Sequence, residues 1–189
     1  MQIDTLLNRK VLSIACGDAH SVALVVGMGS YDEKIVNRDG VEYLCDVMAW
    51  GDNNLGQVSG DITVDKYPVP VVLPQFVGKK ILHVSCYRSK SCAVEQGGNI
   101  YEWGGAEDSC NIKVVQKVDE ALEMHYGTGF SIVRTIDKVY FWGELKGKSR
   151  NFMNERKPFL ISGDTDVKAV SVGADHVLMS DTSDMVVSE

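Results

Sequence analysis

Histidines and cysteines supply the side chains best suited to metal binding or nucleophilic chemistry. This chain of 189 residues has four histidines and five cysteines. Cys16 and His20 are four positions apart, and Cys86 and Cys92 are six apart. A zinc site usually combines two close pairs, such as Cys-x-x-Cys and His-x-x-x-His, and no such partner pair occurs. The spacing therefore predicts neither a metal site nor a cofactor.

Acidic residues that could act as general acids or bases, Asp52 among them, lie in predicted turns, where aspartate is common because it bonds nearby backbone amides. His20 and His176 each follow a glycine by three positions, which favours a hydrogen bond at a turn over catalysis. His83 and His125 look like ordinary strand residues. No nucleophile elbow or phosphate-binding loop occurs, so the sequence predicts no active site.

These residues belong to an internal repeat. Each of the three tryptophans ends a short apolar segment, is followed by glycine, and comes after a run of small and β-branched residues. Such repetition indicates a stack of similar units rather than one compact fold. We predict four units, at residues 11–76, 81–118, 121–162 and 167–189, and expect residues 1–10 to be the closing strand of a preceding unit.

Within a unit, the apolar segments contain four to seven residues and are separated by Gly, Asn, Asp and Pro, a pattern typical of short strands with tight turns. Prolines at positions 68, 70 and 74 mark an outer strand, because proline cannot donate to a central ladder. Each unit thus supplies about four antiparallel strands, the size of one propeller blade.

A single blade cannot bury both of its faces, so neighbouring blades must stack. We predict that the repeated residues are structural, with the indoles packed between blades and the following glycines turning the chain. These residues are Trp50, Trp103, Trp142, Gly51, Gly104, Gly143, His20, His176, Cys16 and Cys86.

The first unit carries the most specific sequence: C-G-D-A-H-S-V-A-L at 16–24, W-G-D-N-N-L-G-Q at 50–57, and a proline-containing segment at 68–74. This combination resembles the regulator-of-chromosome-condensation repeat, and the weaker units extend the resemblance to nearly the whole chain. It implies a β-propeller, normally of seven blades. We therefore predict an all-β fold, a partial β-propeller of three to four four-stranded antiparallel blades; a closed four-bladed ring is the alternative.

The first unit also contains extra sequence at 26–46, because 34 positions separate Cys16 from Trp50 whereas 17 separate Cys86 from Trp103. The run N-R-D-G at 37–40 is a strong turn signal, so we expect an inserted hairpin, either an elongated turn or a partner contact. The candidate partner-binding residues are Ile35, Val36, Arg38, Asp39, Tyr43 and Leu44 on this hairpin, and Asp52, Asn53 and Asn54 in a later loop.

Composition limits the partners. The formal net charge is −7, from 26 acidic and 19 basic residues, which argues against nucleic acid because its binders usually present a basic face. No apolar run approaches the roughly 18 residues of a membrane span. Cysteines within apolar strands suit a reducing compartment. We expect an intracellular protein, cytoplasmic or nuclear, with a cytoskeletal or ciliary assembly as one option.

Two functions follow from these observations. The first is a non-catalytic protein–protein interaction scaffold, a propeller segment completed by another chain, by further sequence or by self-association. The second is guanine-nucleotide exchange on a small GTPase, because the resemblance implies that some family members expel nucleotide with a protruding β-wedge; the hairpin at 26–46 is the candidate wedge. Chromatin docking is weaker, since it requires a basic surface.

Overall fold

The computed structural model describes residues 3–27, 45–105, 111–145, 153–163, 167–180 and 185–188. Apart from two 3-10 helices, Asp4–Leu6 and Pro74–Phe76, the regular structure of these residues is β-strand. The strands form four antiparallel sheets, which confirms the predicted all-β fold. No helix in this part of the chain has the length and apolar character that a membrane crossing requires.

Each sheet takes consecutive strands in chain order, as a propeller blade does. Blade 1 contains β1 (Val11–Cys16), β2 (His20–Val26), β3 (Cys45–Asp52) and β4 (Lys66–Val72). Blade 2 contains β5 (Ile81–Tyr87), β6 (Lys90–Glu95), β7 (Asn99–Gly104) and β8 (Lys113–Lys117). Blade 3 contains β9 (Glu123–Tyr126), β10 (Phe130–Arg134), β11 (Lys138–Leu145) and β12 (Met153–Gly163). Blade 4 contains β13 (Ala169–Val172), β14 (Val177–Ser180) and β15 (Met185–Ser188).

The first strands of the blades, β1, β5, β9 and β13, contact one another in that order. They therefore form the inner rim, and the last strand of each four-stranded blade lies on the outside.

Buried apolar side chains fill each junction between consecutive blades. Leu24 and Val47 of blade 1 pack with Val84 and Trp103 of blade 2, and similar clusters join blades 2 and 3 and blades 3 and 4. Among the described residues, none of the buried clusters joins blade 4 back to blade 1. The arrangement is that of a partial propeller.

Residues 1–10, expected to be a closing strand, contain a 3-10 helix instead. The N–H groups of Leu6 and Leu7 donate to the carbonyls of Ile3 and Asp4, at 3.0 and 3.1 Å, and these local bonds take the place of a strand ladder. The Asp4–Leu6 helix lies 70 positions before the Pro74–Phe76 helix that follows blade 1. The described residues 3–10 therefore contain a 3-10 helix where a strand was expected, and their place at the end of a preceding unit stays a prediction.

Only the ends of the insert expected at 26–46 belong to the described residues. Val26 in β2 pairs with Cys45 in β3, so the insert joins the neighbouring ends of two paired strands. The predicted partner-binding residues of the hairpin lie outside the described residues and are Ile35, Val36, Arg38, Asp39, Tyr43 and Leu44.

Candidate functional site

Trp103 joins blade 2 to blade 1. Its side chain is 1% exposed, and its indole Nε1–H donates to the carbonyl of Val58, in the loop after β3, at 3.2 Å. The indole also packs against Phe76, with ring centroids 5.4 Å apart. This tryptophan therefore inserts between two successive blades and has both an apolar and a polar partner in blade 1.

The glycine after each tryptophan permits a close backbone approach. Gly104 has φ +77°, and a Cβ atom there would lie 2.5 Å from the carbonyl oxygen of Ser89. Gly51 and Gly143 also have positive φ and a turn carbonyl within 2.5 Å of such a Cβ atom. Any other L-residue would be strained and would clash with backbone at these positions, which explains the recurring Trp-Gly pair.

Asn53 shapes the loop that receives Trp103. It is fully buried, and its Oδ1 accepts hydrogen bonds from the backbone N–H groups of Val58 and Ser59 at 2.9 and 3.1 Å. Its Nδ2 donates to the carbonyls of Asp61 and Val64, both at 2.6 Å. One side chain thus takes the place of several backbone bonds across the loop.

Asp52 and Asn54 take part in the same loop. The two carboxylate oxygens of Asp52 accept hydrogen bonds from Asn54 Nδ2 and Gln57 Nε2, both at 2.6 Å. The expected role of Asn53 in partner binding is wrong, because its amide is buried and engaged by backbone. Asp52 and Asn54 remain at least partly accessible, at the end of β3 opposite the insert.

His20 also joins blades 1 and 2. Its Nε2 lies 2.8 Å from the Ser91 hydroxyl, which donates its proton to the Gln57 carbonyl at 2.7 Å. Because that proton is committed, the Nε2–H of His20 is the donor to Ser91. Burial lowers the pKa of His20 despite the opposing influence of Asp52 and Asp18, so the neutral imidazole is favoured.

A glycine–ring contact recurs in three blades. In each, the glycine N–H donates to the carbonyl of the residue three positions later, at 2.9 Å. A Cβ atom on the glycine would lie 2.0–2.3 Å from the ring of that later residue, so only glycine fits. The three pairs are Gly17–His20, Gly127–Phe130 and Gly173–His176.

Within the described residues, blade 1 has a face turned away from blade 2 that is only partly covered. Ile14 and Val84 occupy equivalent positions, because Ile14 pairs with Ala23 in blade 1 as Val84 pairs with Ala93 in blade 2. Ile14 is nevertheless 70% exposed, whereas Val84 is 1% exposed. The blade-1 open face consists of Val11, Ile14, Cys16 and Trp50.

Cys16 is exposed, although a cysteine within an apolar strand is usually a buried side chain. Its counterpart in blade 2, Cys86, lies between blades, and burial raises the pKa of that thiol to about 12. Cys16 differs because no blade in the described chain covers it. Cys92 is fully buried.

The other two tryptophans are half-buried. Trp50 packs against Leu6, Val25 and Met48, so the N-terminal 3-10 helix covers it only in part. Trp142 packs at the margin of the cluster between blades 2 and 3.

Blade 4 also has a face that no other blade of the described residues covers, at the other end of the segment. His176 occupies the repeat position of His20, but its side chain is 56% exposed, whereas His20 is 3% exposed. Leu178 beside it is 39% exposed. We call His176 and Leu178 the blade-4 open face.

The structure also brings together His83, Glu123 and His125, on strands β5 and β9 of the inner rim. One ligand atom from each residue lies within 4.8 Å of the others. Sequence spacing misses this set because its members come from two units. The repeat register was the available signal, since His83 and Glu123 are 40 positions apart, which is the offset between units 2 and 3.

The chain matches no protein-family model. It is 26% identical over 184 residues to the E3 ubiquitin-protein ligase HERC2 of Homo sapiens, an alignment that covers 88% of this chain and 3% of HERC2. Human WBSCR16 has a similar structure, with a TM-score of 0.67 and 20% identity, over 96% of this chain and 47% of that chain.

Yeast RCC1 (Prp20), from Saccharomyces cerevisiae, is also similar in structure. The TM-score is 0.62 at 18% identity, over 92% of this chain and 42% of that chain. The present chain thus spans a small part of HERC2 and less than half of either solved chain. The blade topology and these structural similarities show that the chain forms part of a β-propeller, and its repeat pattern is similar to that of regulator-of-chromosome-condensation-type repeats.

Proposed function

We propose that this chain is a non-catalytic protein-interaction scaffold that binds through its two open faces. One observation carries the proposal: Ile14 is 70% exposed, whereas its counterpart Val84 is 1% exposed within the blade 1–blade 2 junction. An apolar face that the same fold covers elsewhere is suited to cover by another blade, and exposed apolar patches mark interaction sites.

The occupant that we propose for the blade-1 open face is blade 4 of a second copy. Within the chain, His20 of blade 1 bonds Ser91 of blade 2. His176 is the repeat counterpart of His20, and Ser21 is the counterpart of Ser91. Contact between the blade-4 open face and the blade-1 open face would therefore recreate the existing junction, with His176 of one copy bonded to Ser21 of the next.

We propose that this scaffold acts inside the cell, in the cytoplasm or nucleus. Cys92 serves as a fully buried apolar side chain at a blade junction, a use of cysteine that suits a reducing compartment.

Replacing Ile14 by aspartate should weaken self-association of the chain at least tenfold, because docking would bury an unpaired charge. Sedimentation velocity across a range of protein concentrations measures this effect. We expect the wild-type sedimentation coefficient to rise with concentration and that of Ile14→Asp to stay at the monomer value.

The matched control is Ile136→Asp. Ile136 is 62% exposed, in the turn between β10 and β11, and lies on neither open face. This variant should associate like the wild type, and circular dichroism should show that both variants fold. A wild-type chain that stays monomeric at every concentration, or equal behaviour of the two variants, would contradict the proposed occupant.

Guanine-nucleotide exchange on a small GTPase is a second candidate function. Two observations favour it. The insert joins the paired ends of β2 and β3. The similar structure of Prp20p was reported together with the binding properties of that protein to Gsp1p and histones. In this case a hairpin at 26–46 would contact the GTPase.

A nucleotide-release assay on a small GTPase tests this second candidate. Deleting residues 28–44 and joining the strand ends with a short glycine-containing turn should abolish the accelerated release of labelled guanine nucleotide. The Ile136→Asp variant should retain it. Equal release with and without the insert would reject this activity while leaving the scaffold proposal intact.

A further inference from the structure

We propose that His83, Glu123 and His125 bind one divalent transition metal ion, best matched by Zn²⁺, at the inner rim between blades 2 and 3. The set contains two imidazoles and one carboxylate, the donor combination that zinc takes in sites with an open fourth position. Imidazole ligands also favour zinc, copper and nickel over magnesium and calcium.

The distances suit such a site after a small adjustment. His125 Nε2 lies 3.9 Å from Glu123 Oε1, and the ligand atoms of all three residues lie within 4.8 Å of one another. Ligands about 2.0–2.2 Å from a tetrahedral zinc ion are about 3.4 Å apart. Side-chain movements of about 1 Å would therefore close the set around an ion.

His125 supplies a nitrogen that the fold itself does not satisfy. Its Nε2 is buried and makes no hydrogen bond within the part of the chain that the structure describes. The distance of 3.9 Å to Glu123 is too long for a hydrogen bond. Buried polar atoms usually have a partner, and a metal ion placed between these two residues would provide one.

Neighbouring groups orient the ligands, as outer-shell residues do in metal sites. Arg134 Nε donates to Glu123 Oε1 at 2.6 Å, and Arg134 is itself 5% exposed and bonded to the Val167 carbonyl at 3.3 Å. The Met124 N–H points to His83 Nδ1 at 3.4 Å, a weak bond at that length that yields readily to a metal.

The charge of the ligand set also favours a cation. Glu123 supplies the carboxylate of the set, a donor that zinc accepts beside two imidazoles. Arg134 adds one competing positive charge, so we expect moderate affinity rather than the very tight binding of a four-ligand structural site.

A bound ion would connect β5 to β9 directly. His83 belongs to blade 2, and Glu123 and His125 belong to blade 3. The ligands are half-buried, so an ion could enter from the rim, and water would complete its coordination.

The test is zinc binding by the whole 189-residue chain after treatment with a chelator, measured by competition with a chromogenic chelator. We expect one equivalent to bind, and we expect His125→Ala and Glu123→Gln each to lower the affinity at least tenfold. His176→Ala is the control, because His176 is an exposed histidine in blade 4. The zinc affinity of this variant should equal that of the wild type.

Cobalt substitution keeps the test decisive if a variant folds poorly. The wild-type chain loaded with Co²⁺ should show the visible absorption of a tetrahedral site without the charge-transfer band that a cysteine thiolate ligand would produce. No stoichiometric zinc binding, a thiolate band, or unchanged affinity in a folded His125→Ala chain would each overturn the proposal.

Discussion

Replacing Trp103 by alanine should lower the free energy of unfolding by about 3–5 kcal/mol, the range for a large buried aromatic side chain. The indole is 1% exposed, contacts Phe76 and donates to the Val58 carbonyl. The substitution would leave a cavity between blades 1 and 2 and a carbonyl without its donor. Urea denaturation followed by far-ultraviolet circular dichroism measures the change without relying on tryptophan fluorescence.

Trp50→Ala provides the matched control, because Trp50 occupies the same repeat position but is only half-buried. Its loss should cost less than about 2 kcal/mol, since less apolar surface returns to water. Equal destabilisation by the two substitutions would show that the junction does not depend on the buried indole.

Replacing Asn53 by alanine should destabilise the chain by about 2–4 kcal/mol, because each buried group that loses its partner costs about 1–3 kcal/mol. The substitution removes the acceptor of two backbone N–H groups and the donor to two carbonyls. It also loosens the segment that carries the Val58 carbonyl. The same denaturation experiment measures the loss.

Asn54→Ala is the neighbouring control. Asn54 is exposed and makes one side-chain bond, to Asp52, so its replacement should change stability by no more than about 0.5 kcal/mol. The double variant Asn53→Ala with Trp103→Ala should lose less stability than the sum of the two single losses. Asn53 and Trp103 meet at one loop, and the effects of coupled sites are not additive. Similar effects of Asn53→Ala and Asn54→Ala would contradict the assigned role.

The blades could be predicted from sequence because their signals are local. Short apolar segments, the turns between them and the Trp-Gly pairs each reflect the strand in which they occur. Gly51, for example, is required by the Ala19 carbonyl that its own blade places beside it. Strands and turns that depend on contacts within one blade can therefore be predicted from the sequence of one unit.

The burial of single side chains and the conformation of loops were harder to predict than the strands. The exposure of Cys16 follows from the lack of a covering blade in the described chain, which its own strand pattern does not encode. Asparagine in a turn is usually exposed, yet Asn53 is buried because the loop folds around its side chain. A strand was expected at residues 1–10 from their place in the repeat, but local hydrogen bonds form a 3-10 helix at Asp4–Leu6.

The candidate site was predicted only in part. The resemblance to the repeat family identifies the loop at 52–54 and the insert as distinctive, but His83, Glu123 and His125 come together through packing of blades 2 and 3. Interaction of the hairpin residues with a partner stays a prediction, because those residues lie outside the described part of the chain.

The two open faces differ from each other, and this gives the chain a polarity. When two molecules join through unlike faces, each still has one face free to bind a further molecule. Assembly therefore closes into a ring only if the rotation per molecule permits it, and otherwise it continues as a filament. A molecule with Ile14→Asp would still offer its blade-4 face. Small amounts of that variant would therefore act as terminators and shorten any filament that the wild-type chain forms.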